Sequence, residues 1–153
     1  MNELRRKILK AGFGLTVLAS FVSRSAAALA SEWPKAAFEA KAASAALNAI
    51  GASATTESGD ILIRVPDIAE NGGAVPIEVA SNIPSTRSIT LVAEKNPFPL
   101  LAIFNFTADT EPFASTRIKL SESTALKALV ATDDGKVYVA SRAVRVTIGG
   151  CGG

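Results

Sequence analysis

The chain has 153 residues, of which 48% are hydrophobic and 20% are charged, and its formal net charge is +2. This length suits about one domain, and the balance of residues excludes a disordered or collagen-like chain. The sequence contains no histidine, which excludes Ser-His-Asp and Cys-His catalysis and any zinc or haem site that needs histidine ligands. A single cysteine, Cys151, excludes an internal disulfide.

Residues 1–30 have the pattern of an export signal. Basic residues that include Arg5 and Arg6 precede an apolar stretch, and Ala28-Leu29-Ala30 has the small-x-small form of a signal-peptidase site. The apolar stretch is shorter than the roughly 20 residues that a membrane-spanning helix needs. We therefore expect cleavage before Ser31 and a soluble exported protein. The Arg5-Arg6 pair resembles the twin-arginine motif, and an ordinary secretory signal is the alternative.

Cleavage would change the charge of the protein. Residues 1–30 hold five of the 16 basic residues and one of the 14 acidic residues, so the remainder carries a net charge of −2. The mature chain has no basic patch, which argues against nucleic-acid binding and against a role at a membrane surface.

The next segment, residues 31–59, is rich in alanine. Apolar residues recur there at three- and four-residue steps: Ala36, Ala40, Ala43, Leu47 and Ile50. Proline suits the first turn of a helix and glycine suits the position after its end. We expect one α-helix from about Pro34 to Ile50, ended by Gly51.

From Asp60 onward, short β-branched runs alternate with turn residues. Seven strands are predicted, at residues 61–65, 75–80, 89–94, 100–106, 116–120, 126–132 and 137–148. Turns are predicted at residues 71–73, 82–85, 95–99 and 133–135, which are rich in Gly, Pro, Asn and Asp. Closely spaced strands without intervening helices indicate an all-β, antiparallel β-sandwich. The apolar alternation of the last strand fails near Ala140–Arg142, which predicts a bulge or a break there.

The chain ends in Gly149-Gly150-Cys151-Gly152-Gly153, directly after the last predicted strand. Glycine adds backbone freedom and little bulk, so the pattern predicts a thiol on a thin, flexible arm. Five extended residues span at most about 17 Å, and the sulfur lies some ~10 Å beyond the strand. The chain thus divides into a signal (1–30), a helix with a sandwich (31–148) and an arm (149–153).

The surroundings of Cys151 in the sequence indicate a thiol that is acted upon. The tail contains no basic residue to favour the thiolate and no partner for catalysis. An exposed thiol is a liability in an oxidising compartment unless it is used, so a covalent carrier is one interpretation. A chain end without function and a disulfide-linked dimer are the alternatives.

The glycine-flanked cysteine after a β-strand, together with the signal pattern, resembles the SoxY family, the sulfur-carrying subunits of the bacterial thiosulfate-oxidising (Sox) system. The resemblance extends to the alanine-rich helix, Glu70-Asn71-Gly72, the segment Ala93–Pro99 and the Val144–Gly153 ending. It implies an immunoglobulin-like fold and a periplasmic heterodimer with a SoxZ-type subunit.

The resemblance also implies a role for Cys151, Gly149, Gly150, Gly152 and Gly153. Cys151 would be the covalent attachment site, joined oxidatively to thiosulfate by a c-type cytochrome complex, on an arm formed by the four glycines. A dimanganese hydrolase then releases sulfate, and a sulfane dehydrogenase, where present, oxidises the sulfur that remains. The protein itself would be a carrier without catalytic residues, metal or cofactor.

Two other classes of protein compete with this interpretation. A ubiquitin-like sulfur carrier also ends in Gly-Gly, but it needs ATP-dependent activation and has fewer strands than are predicted here. An exported structural or interaction domain would leave the tail idle.

Overall fold

The computed structural model describes residues 33–148, which contain two short helices followed by β-strands. The predictions for residues 1–30, with Arg5 and Arg6, and for Gly149–Gly153 lie outside the described residues. No helix in the described part is both long and apolar enough to cross a membrane.

The single helix predicted from about Pro34 to Ile50 is wrong. The segment instead forms α1 (Lys35–Glu39) and α2 (Ala43–Ala49), and the residues that separate them have extended backbone angles. Gly51 ends α2 as predicted, with φ +71°, and its N–H donates to the Asn48 carbonyl at 3.1 Å.

The burial of two alanines explains the break. Ala37 in α1 and Ala46 in α2 are both 0% exposed and belong to one apolar cluster with Leu129 of the large sheet. In a continuous helix, residues nine positions apart lie roughly half a turn apart, on opposite faces. Only one alanine could then face the sheet, whereas the break lets both pack against it. The predicted apolar stripe is confirmed at Ala40, Ala43, Leu47 and Ile50, while Ala36 is exposed.

Within residues 33–148, nine strands follow the helices: β1 (Thr56–Glu57), β2 (Ile61–Arg64), β3 (Ile68–Asn71), β4 (Val75–Ser81), β5 (Thr86–Ala93), β6 (Leu100–Asn105), β7 (Phe113–Ile118), β8 (Thr124–Thr132) and β9 (Val137–Ile148). All seven predicted strands are confirmed. The two that the sequence did not predict, β1 and β3, are short and carry few β-branched residues.

The strands form two sheets. One has the order β1-β9-β8-β5-β6, with β3 also paired to β9, and the other has the order β2-β4-β7. Pairing is antiparallel except that β1 and β3 both run parallel to β9, one near each of its ends. The predicted sandwich is confirmed, with these two parallel edge strands as an addition to it.

The main core lies between the sheets. Val75, Ile77 and Val79 alternate along β4 and meet the buried residues Leu126 and Val130 of β8. Leu129, on the opposite face of β8, packs under the helices. β8 is therefore covered on both faces, and it neighbours β9, the strand that leads into Gly149–Gly153.

The irregularity predicted near Ala140–Arg142 is wrong. β9 pairs with β8 in one unbroken register along their shared length. The apolar alternation fails because Ser141–Ala143 lie between the edge positions taken by β1 and β3, and all three of these residues are exposed. The register shifts of the large sheet involve β5 instead, for example between Leu91 and Val92.

The predicted turn between β8 and β9 is confirmed, with Gly135 at φ +81°. Asp134 organises it: one carboxylate oxygen lies 2.7 Å from Lys136 Nζ, and the other accepts a hydrogen bond from Thr132 Oγ1. These contacts, the Lys136 hydrogen bond foremost, lower the pKa of Asp134 to about 2. The carboxylate form is therefore favoured in the folded protein.

We predict that acid destabilises the protein in part through Asp134. Because its folded pKa lies below the ordinary 3.8, its contribution to the free energy of unfolding is complete above about pH 4 and is lost as the pH falls towards about 2. The side chain is exposed, so the effect is small. Denaturant unfolding at several pH values should show a shallower pH dependence for Asp134→Asn than for wild type. An Asp133→Asn control should match wild type, and equal flattening in both variants would contradict the assignment.

Candidate functional site

The site predicted from the sequence begins where the described residues end. Cys151 and its four flanking glycines, together called the terminal segment (Gly149–Gly153), follow directly on Ile148, the last residue of β9. Among the described residues, the end of β9 is the part of the protein next to this site. We call Arg145–Ile148 the root.

The root extends beyond the strand that supports the rest of β9. β8 begins at Thr124, which is paired with Val144, so the root has no ladder partner on that side. On its other side the root pairs in parallel with β3, from Ile68 opposite Arg145 to Asn71 opposite Ile148. One short edge strand thus holds the residues that lead into the terminal segment.

Further hydrogen bonds hold the root, among them three short ones. The Gly72 N–H donates to the Ile148 carbonyl at 2.7 Å, at the last described residue. Thr147 Oγ1 donates to the Glu70 carbonyl at 2.8 Å, and Ser123 Oγ accepts the Val146 N–H at 2.9 Å. The root is therefore bonded on the β3 side up to Ile148 and on the β8 side as far as Val146.

The turn after β3 depends on a glycine. Asn71 Oδ1 accepts the Gly73 N–H at 2.7 Å, which reverses the chain towards β4. A Cβ at position 73 would lie 2.9 Å from that oxygen, closer than real Cβ contacts. Glycine at 73 therefore allows the Asn71 side chain to close the turn that places Gly72 against Ile148.

Three loops that connect strands lie at the same end of the sandwich as the root. The antiparallel pairings of β9 with β8, β8 with β5, and β4 with β7 bring together the connections at residues 72–74, 94–99 and 119–123. The Leu120 N–H donates to the Gly72 carbonyl at 2.8 Å, and Leu120 is 0% exposed. A line of hydrogen bonds therefore runs from Ile148 through Gly72 into the 119–123 loop.

Asn96 joins the other loop to this network. It is 9% exposed, its Nδ2 donates to the Lys119 carbonyl at 2.8 Å, and its Oδ1 accepts the Ser121 N–H at 2.9 Å. Next to it, Phe98 is 47% exposed and its ring centre lies 3.4 Å from Lys41 Nζ, in the break between the helices. Two of the segments that carried the family resemblance, 70–72 and 93–99, thus lie at one end of the protein.

The surroundings of the root favour holding a chain over catalysing a reaction. Its contacts are backbone amides and carbonyls and the hydroxyls of Ser123 and Thr147. Among residues 33–148, no three His, Cys, Asp or Glu side chains are placed to hold a metal ion. Ser123 and Thr147 could not be predicted from the sequence, because single hydroxyls in a turn or strand carry no distinctive signal. β3 was not predicted either, because it is short and has few β-branched residues.

We predict that Asn96→Ala destabilises the fold by about 1 kcal/mol, because it removes two part-buried hydrogen bonds, to the Lys119 carbonyl and from the Ser121 amide. Denaturant unfolding of the variant measures this loss. Asn82→Ala, in an exposed turn position, serves as a matched control and should change stability by less than about 0.5 kcal/mol. Equal losses in both variants would contradict a structural role for the Asn96 amide.

Comparison with known proteins agrees with this architecture. The family model described as sulfur oxidation protein SoxY matches residues 46–151. The structure of the sulfur carrier protein SoxY from Chlorobium limicola f thiosulfatophilum is 36% identical, with a TM-score of 0.58; the match covers 66% of this chain and 94% of that one. Superoxide reductase (neelaredoxin) from Ignicoccus hospitalis is 22% identical, with a TM-score of 0.50 and coverage of 56% and 79%. A search of curated proteins finds no match.

The likeness to superoxide reductase concerns the fold alone, given its low identity. The SoxY match is of a different kind, because it spans most of the chain and reaches Cys151 itself. The resemblance inferred from the sequence is thereby confirmed, together with the role of a carrier subunit in place of a catalytic enzyme. On these grounds the chain belongs to the SoxY family of sulfur carrier proteins.

Proposed function

We propose that this protein carries the sulfur intermediates of thiosulfate oxidation as covalent adducts of Cys151. The observation that carries the proposal is the anchoring of the root, which fixes Ile148 by the Gly72 hydrogen bond three residues before the thiol. The family match, which ends at residue 151, supports the same position.

The distances support presentation of the thiol away from the protein's own cavity. A cavity of about 670 Å³ lies between α2 and the outer face of β8 and β9, with Ser141 in its lining. Ser141 precedes Ile148 by seven residues, or roughly 23 Å along an extended strand. While Ile148 stays bonded to Gly72, Cys151 reaches at most about 10 Å beyond it, so the thiol does not reach this cavity, in keeping with processing of the adduct by another protein.

Attachment of thiosulfate to the Cys151 thiol is an oxidation, and its atoms, charges and electrons balance. The Cys151 thiol and thiosulfate lose two electrons and a proton to form a cysteine S-thiosulfonate, with a c-type cytochrome complex as the electron acceptor. Water then attacks the terminal sulfonate in a dimanganese hydrolase, which releases sulfate and leaves a persulfide on Cys151. A sulfane dehydrogenase, where present, oxidises that remaining sulfur. Each reaction uses a visiting enzyme, and tethering keeps the intermediate at high effective concentration.

The proposal includes a place and a partner. Residues 1–30, with the Arg5-Arg6 pair, would direct the chain to the periplasm and then be removed. The mature protein would act as a heterodimer with a SoxZ-type subunit, as membership in the family implies. A twin-arginine route carries folded cargo, so a partner subunit without a signal of its own could be exported with it.

We predict that Cys151→Ser abolishes thiosulfate oxidation in a reconstituted system, because serine cannot form the sulfur–sulfur bond. Thiosulfate-dependent reduction of the cytochrome complex measures the loss. Deletion of Gly152-Gly153 should leave substantial activity, because it spares the thiol. Retained activity in Cys151→Ser, or complete loss only in the deletion, would favour a ubiquitin-like carrier that uses the terminal carboxylate.

We predict a heterodimer when the protein is mixed with a SoxZ-type subunit. Gel filtration with light scattering should show one complex of one copy of each chain, under reducing conditions that remove any Cys151 disulfide dimer. Cys151→Ser should form the same complex, because the thiol is not needed for assembly. Two separate monomer peaks would contradict this part of the proposal.

A further inference from the structure

The root is a strand end that has lost its main neighbour. β8 supports β9 only as far as the pair Thr124–Val144, so the residues from Arg145 to Ile148 depend on β3, a four-residue edge strand. Strand ends with few partners open more readily than the core of a sheet. The contacts that keep the root closed therefore determine whether Arg145–Ile148 stays in the sheet or detaches from it.

One side chain takes the place of the missing β8 neighbour. Ser123 directly precedes β8, and its Oγ accepts the Val146 N–H at 2.9 Å and approaches the Val146 carbonyl at 3.4 Å. In an antiparallel ladder, the residue opposite Val146 would make both of these bonds through its backbone. The Ser123 hydroxyl thus supplies the hydrogen bonds that one further residue of β8 would make to β9.

A second side chain reinforces the β3 side. Thr147 Oγ1 donates to the Glu70 carbonyl at 2.8 Å, next to the backbone bond from Gly72 to Ile148. Ile148 is 66% exposed and Ile68 is 55% exposed, so little apolar burial holds the ends of this pairing. Between these ends, Ala69 is buried and Val146 packs against the main core. The two hydroxyls add side-chain hydrogen bonds to this burial and to the backbone ladder, and so contribute to keeping the root attached.

Attachment of the root changes how far the thiol can travel. With the root closed, Cys151 is the third residue after Ile148, a reach of at most about 10 Å. With the root open back to Val144, seven residues are free and the reach becomes about 24 Å. Because effective concentration falls roughly as the −3/2 power of tether length, this change lowers it about fourfold.

We propose that Ser123 and Thr147 are positioning residues that set where the carrier arm begins and so limit the reach of Cys151. This inference rests on the proposed carrier function for its biological meaning. The physical claim, that two hydroxyls hold the root closed, can be tested without any sulfur enzyme.

The test uses single substitutions that remove one hydroxyl each. Ser123→Ala and Thr147→Val delete a hydrogen bond at little cost in volume, and Thr147→Ser keeps the hydroxyl and should behave as wild type. Ser141→Ala is the matched control, because Ser141 is exposed in the same strand but outside the root. All five proteins, wild type included, carry a nitroxide label on Cys151, the one cysteine of the sequence.

Two measurements report on the root. Amide hydrogen exchange at Val146 should accelerate about tenfold in Ser123→Ala, because its acceptor is gone. The nitroxide spectrum should show greater mobility in Ser123→Ala and in Thr147→Val, and wild-type mobility in Thr147→Ser and Ser141→Ala. Unchanged mobility in both hydroxyl deletions, or equal change in the Ser141→Ala control, would overturn the proposal. Because the substitutions are single and lie at an exposed edge, circular dichroism should confirm that each variant is folded.

A parallel assay separates this inference from the proposed function. Unlabelled protein is incubated with thiosulfate and the cytochrome complex, and adduct formation on Cys151 is followed by mass. Slower adduct formation in Ser123→Ala, by a few fold, with wild-type rates in Thr147→Ser supports a positioning role. Wild-type protein that forms no adduct would contradict the carrier function, while the exchange and mobility results would still decide whether the hydroxyls hold the root.

Discussion

The hydrogen bonding at the end of β9 is the constraint on which the rest of the account depends. The proposed carrier function needs a fixed point from which an arm extends, and Ile148, bonded by the Gly72 amide, would provide it. Gly72 is itself held by Leu120, a fully buried residue of the neighbouring loop. The position at which the terminal segment begins is thus connected through two backbone hydrogen bonds to the core of the sandwich.

The sandwich and the helices cover the large sheet on both of its faces. β8 has one face in the main core and the other under the helices, where Ala37 and Ala46 pack closely because they are small. The break between the helices also places Lys41 over Phe98, at the end of the protein where the root lies. Under the proposed function, an enzyme that acts on Cys151 would approach this end, because the thiol reaches at most about 10 Å from Ile148 while the root is closed.

Much of the fold followed from the sequence, because strongly β-branched runs and Gly, Asn and Asp turns carry local signals. The helix break did not, because Ala40 and Ala42 favour a helix locally and the demand that Ala37 and Ala46 share one face comes from tertiary packing. β3 was missed for a similar reason: Ile68 is its one β-branched residue, and it forms a strand because β9 offers an edge. The irregularity expected in β9 was wrong, since exposure at an open edge also interrupts the apolar alternation.

For the site, the glycine-flanked cysteine indicated the family, which the comparisons confirm, and Cys151 as the point of attachment stays a prediction. The residues that hold the root were visible only in the structure. The most direct test of the central claim is the mass of the C-terminal peptide after incubation of the purified protein with thiosulfate and its cytochrome complex. The account predicts a thiosulfonate adduct on Cys151, removed by a thiol reductant. An unmodified Cys151 in the presence of an active cytochrome complex would contradict it.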